Sequence, residues 1–74
     1  MQGDEKLALD DLNLLLKTNK KHFGGYRSRA NLVLGQGDTS KAVFNLSKAI
    51  ALQSNDPEMY FTRAELYERV SATD

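Results

Sequence analysis

An all-α fold of four antiparallel helices is predicted by three observations. Apolar residues recur at spacings of three and four along most of the 74 residues. Glycine, aspartate and proline signals separate the periodic stretches. The chain also repeats itself at 34 residues. That shift places Gln2-Gly3-Asp4 on Gln36-Gly37-Asp38, Ala8 on Ala42, Leu12 on Leu46, Tyr26 on Tyr60, Arg29 and Ala30 on Arg63 and Ala64, and Leu32 on Leu66. Ala8 and Leu12 are one helical turn apart, as are Tyr26 and Ala30, so the repetition carries helical structure and not one conserved block. A period of this length implies hairpins that bury their apolar faces against their neighbours.

The first helix is expected over residues 5–17, with Leu7, Ala8, Leu12, Leu15 and Leu16 on one side and Asp10, Asp11, Asn13 and Lys17 largely opposite. Asp4, after Gly3, is its expected N-cap. Residues 18–25 read as a connection, because Gly24-Gly25 disfavours helix continuation. A second helix over 26–36 carries Tyr26, Ala30, Val33 and Leu34, and Gly37 supplies its left-handed end. Asp38, Thr39 or Ser40 caps a third over 41–53, whose inward set is Ala42, Val43, Leu46, Ala49, Ile50 and Leu52. The fourth, over 57–70, starts on Asn55 or Asp56 as cap, with Pro57 at the first position and Glu58 in the first turn, and residues 71–74 fray. Ala30 and Ala64, facing Ala8, Ala42 and Ala49, would let antiparallel helices approach closely.

Composition bounds the function. A chain of 74 residues holds one small domain, which buries about 60% of its unfolded surface. Its 41% hydrophobic and 27% charged residues are those of a globular protein. Ten basic residues balance ten acidic ones, so no net field gathers nucleic acid or anionic lipid, and neither partner is expected. Cysteine is absent, which removes disulfides and thiolate chemistry. Apolar runs such as Leu14-Leu15-Leu16 fall far short of the roughly 20 residues of a membrane span. The N-terminus has no secretory pattern, which leaves a cytoplasmic location as the default expectation.

No catalytic, metal or cofactor constellation is expected. His22, the single histidine, reads as a solvated loop residue without partners for metal or acid–base work. Asp10 and Asp11 point about 100° apart on a helix and so do not form a carboxylate pair. Gly35-Gln36-Gly37-Asp38 follows a helix and lacks the Lys-Ser/Thr of a phosphate loop, so a turn explains it. The serines have no His–Asp partners in view.

Residues 26–53 resemble one complete tetratricopeptide repeat: aromatic Tyr26, small Ala30, apolar Val33, the Gly37-Asp38 turn, small Ala42, bulky Leu46 and small Ala49. Residues 3–17 resemble the second helix of a preceding repeat, and residues 57–70 the first helix of a following one. Arg29 and Arg63 occupy a slot the family commonly fills with Leu, and Ser54 stands where it has proline. The phase gives one whole repeat between two halves. This suggests a piece of a longer array, or a unit completed by self-association through its half-repeat ends, a possible homo-oligomer.

The resemblance implies a noncatalytic protein-interaction scaffold. First helices of successive repeats would line a groove for a peptide or partner helix, placing Arg27, Asn31 and Leu34, then Phe61, Glu65 and Glu68, on that surface. Arg27 and Asn31, four apart, could offer donors to a carboxylate. Family members that clamp chaperone C-termini add an Asn in the next repeat, where this chain has Thr62. The expected partner is therefore a protein or peptide.

Overall fold

The computed structural model describes residues 2–53 and 55–73 and is all-helical across them, with no strand among the described residues. Four helices, α1 (Gln2–Thr18), α2 (Phe23–Gly35), α3 (Thr39–Leu52) and α4 (Pro57–Thr73), run antiparallel in chain order. Each packs against its neighbours in sequence, and the α2–α3 hairpin makes the most extensive contact. Ser54, expected from the resemblance to stand in a proline position, lies outside the described residues, as do Met1 and Asp74.

Local chemistry explains the inner helix ends that carry cap signals. α2 begins at Phe23, three residues ahead of the expected Tyr26, because Gly24 and Gly25 are helical and His22 caps them. Its Nδ1 accepts from the Gly25 N–H at 2.9 Å, so His22 is an N-cap and not merely a loop residue. The helix stops in a Schellman motif: the Asp38 N–H donates to the Val33 carbonyl and the Gly37 N–H to that of Leu34, both at 2.9 Å, with Gly37 at φ +86°. Of the three candidate caps of α3, Asp38 does the work, its Oδ1 accepting from the Lys41 N–H at 3.0 Å. Asp56 accepts from the Glu58 N–H at 3.0 Å ahead of Pro57, as the start signal predicts. At the termini the helices run further than expected: Asp4 lies inside α1 and is not its cap, and α4 continues past Val70 to Thr73.

The core is continuous. Leu16 from α1, Tyr26, Ala30 and Val33 from α2, Ala42, Leu46, Ala49 and Ile50 from α3, and Met59 and Leu66 from α4 are all buried. Ala30, Ala42 and Ala49 are buried between α2 and α3, where small residues permit close packing. Gly25 serves the same end against α1, since a Cβ there would stand 2.9 Å from Leu16 Cδ2 and 3.2 Å from Leu15 Cδ2. Three expectations of burial fail. Leu7 and Leu52 are exposed, and Ala64 is exposed although its counterpart Ala30 is buried. For Leu7 and Ala64 the reason is coverage, since α1 packs only on α2 and α4 only on α3, whereas Leu52 is the last residue of α3.

Candidate protein-binding surfaces

The six residues expected to line a groove do not form one cluster. Arg27 and Asn31, one turn apart on α2, meet Glu58, Met59 and Thr62 of α4 and Leu46 of α3 around a cleft of ≈ 160 Å³. Arg27 is not a free donor fork, because its Nη1 lies 3.2 Å from Asp56 Oδ2. The carboxylate that caps α4 thus competes for the guanidinium that the Arg27–Asn31 pair was expected to offer a ligand. Leu34 is half-buried and packs on the core, away from that cleft. Phe61, Glu65 and Glu68 are exposed on α4 beyond the cleft. They follow Glu58 at spacings of three, four and three, which keeps all four on one stripe. Phe61 is 66% exposed and stands largely in the open.

A second surface was not anticipated. Two adjoining clefts of ≈ 270 and ≈ 370 Å³ open between α1 and α3, sharing Asn13, Arg29 and Phe44. Lys41 lines the first; Lys17, Lys20 and Lys48 line the second; neither is lined by a carboxylate. Phe44 is exposed there, with Lys48 Nζ 5.5 Å from its ring centre. The spacing of Lys41, Phe44 and Lys48 on one helical face was the available signal, but it reads equally as an ordinary solvated stripe.

Arg29 forms the floor of these clefts and has polar partners on both sides. Its Nε donates to Asn45 Oδ1 at 2.7 Å, its Nη1 to Asn13 Oδ1 at 3.0 Å, and its guanidinium carbon lies 5.6 Å from the Tyr26 ring centre. Asn45 is only 3% exposed, and its Nδ2 donates to the Lys41 carbonyl at 2.8 Å, so the buried amide is satisfied on both sides. The arrangement recurs one period on. Arg63 donates from Nη1 to Ser47 Oγ at 3.1 Å and lies 5.8 Å from the Tyr60 ring centre. Both arginines thus reach back 16 residues to the preceding helix.

Among the described residues no group of three His, Cys, Asp or Glu side chains could hold a metal ion, and no helix is long and apolar enough to cross a membrane. Compared with known proteins, the chain matches no family model, no curated protein and no solved structure.

Proposed function

We infer that the chain is a noncatalytic protein-interaction module that holds a peptide or helix along the faces of α2 and α4. The observation that carries this reading is Phe61, a large aromatic 66% exposed on the stripe that continues from the Arg27–Thr62 cleft. Glu58, Glu65 and Glu68 share its stripe, and Asp56 holds Arg27. The fitting partner is therefore a segment with an apolar side chain for Phe61 and basic residues beside it, not an acidic chaperone tail. The resemblance to tetratricopeptide repeats supports the same surface, since first helices line the groove in that family.

A second reading is favoured by the α1–α3 surface, where four lysines and Arg29 surround exposed Phe44 without a lining carboxylate. An acidic peptide is its fitting ligand. Selection of peptides from a displayed library, followed by affinity measurement on variants, separates the two. Under the first reading Phe61→Ala and Arg27→Ala weaken the selected peptide and leave the mass in solution unchanged. Loss of binding on Phe44→Ala, with Phe61→Ala silent, would move the function to the other surface.

A further inference from the structure

Positions related by the 34-residue period have unequal surroundings. Tyr26 is 7% exposed and Tyr60 41%; Ala30 is buried and Ala64 exposed. On the other helix type, Ala42, Leu46 and Ala49 are buried, while Ala8, Leu12 and Leu15 are half-covered. α4 thus presents the face that α2 buries under α3, and α1 presents the face that α3 buries under α2.

The residues that depart from the period depart in one direction. α3 carries Lys41 and Lys48 beside Val33, Tyr26 and Arg29, in contact with water. The α1 counterparts are Leu7 and Leu14, apolar yet 64% and 63% exposed. The α4 counterpart of Val33 is Tyr67, also exposed. Charge changes in step: Asn45, which accepts from Arg29 Nε, is replaced on α1 by Asp11, exposed, with Asp10 beside it. Shifting the α2–α3 contact by one period therefore brings Tyr60 to Leu14, Tyr67 to Leu7 and the Arg63 guanidinium to the Asp11 carboxylate.

We propose that copies of this chain stack head to tail, α4 of one against α1 of the next, in the geometry of the internal α2–α3 hairpin. Two leucines and two tyrosines lose water in this contact, and an arginine–amide hydrogen bond becomes an arginine–carboxylate ion pair. The interface joins two different faces, so it does not close on itself and leaves an α1 and an α4 free at the ends for further copies. Asp11 and Leu14 line neither peptide surface, so this contact and the peptide site fail independently.

Sedimentation velocity on the chain over a wide concentration range tests it, with Asp11→Arg, Arg63→Asp and Leu14→Lys alongside and helicity checked by circular dichroism. The mass is expected to climb with concentration above the 8.3 kDa of one chain. Asp11→Arg and Leu14→Lys, both exposed positions, abolish the rise with helicity unchanged, and so does Arg63→Asp. An equimolar mixture of Asp11→Arg and Arg63→Asp regains association, because each copy finds an opposite charge on the other. A chain that stays monomeric throughout overturns the proposal. So do charge reversals that associate like the parent, or a mixture that does not regain mass.

Discussion

Arg29 Nε donates to Asn45 Oδ1 at 2.7 Å, and this bond ties the two helices of the central hairpin through a nearly buried amide. Removing either partner leaves the paired atom of the other without its hydrogen bond, whereas replacing both with apolar groups of similar size removes that demand. Arg29→Leu and Asn45→Leu are each expected to lower unfolding free energy by about 1–3 kcal/mol, while the double variant loses less than the sum. Urea unfolding followed by circular dichroism measures the cycle, and strict additivity would mean the bond carries no coupling.

The His22 cap leads to a test in both directions. His22→Ala removes the acceptor of the Gly25 N–H and is expected to cost about 0.5–2 kcal/mol. His22→Asp places a preferred capping residue, with a charge favoured at a helix N-terminus, and is expected to stabilise relative to His22→Ala. Thermal unfolding ranks the three proteins, and a His22→Ala variant as stable as the parent would remove His22 from this role.

Adjacent glycines should respond oppositely to alanine. At Gly24 a Cβ would meet only the His22 ring, Cε1 at 3.4 Å and Nδ1 at 3.7 Å, ordinary contacts, so Gly24→Ala gains helix propensity of about 0.5–1 kcal/mol. At Gly25 the same atom would press on buried Leu16 at 2.9 Å and on Leu15 at 3.2 Å, at an overpacking cost of about 1–3 kcal/mol that outweighs the propensity. Gly25→Ala is therefore expected to melt lower than the parent and Gly24→Ala no lower.

Gly37 makes a third kind of backbone claim. Gly37→Ala is expected to cost about 1–2 kcal/mol, because φ +86° brings a Cβ against its own backbone although no other atom lies nearby. Gly35→Ala, helical and in open space, serves as the control and should be neutral or stabilising. Similar melting for the two would contradict the Schellman geometry.

Much of the fold was legible because helix ends here are written in strong chemistry: Gly37, Asp38 and the Asp56-Pro57 pair mark their positions. The start of α2 was missed because Gly24-Gly25 carries a poor propensity, which packing against Leu16 overrides. The period itself held a corrective signal, since His22 stands 34 residues before the cap Asp56. The candidate surface was less legible. Periodicity put Arg27 and Asn31 on one face, but the Arg27–Asp56 contact joins residues 29 apart and left no mark on any local pattern. Leu7 and Leu52 were placed inside because helical periodicity identifies an apolar stripe without saying whether a neighbouring helix covers it.

Where a bound peptide lies is the most direct test of the binding role. Backbone amide shifts of the labelled chain, followed by NMR on titration with the library-selected peptide, locate it residue by residue. The largest changes are expected at Arg27, Asn31, Phe61 and Thr62, with Asn13, Phe44 and Lys48 undisturbed. Changes confined to Asn13, Phe44 and Lys48 would contradict the assignment of binding to α2 and α4.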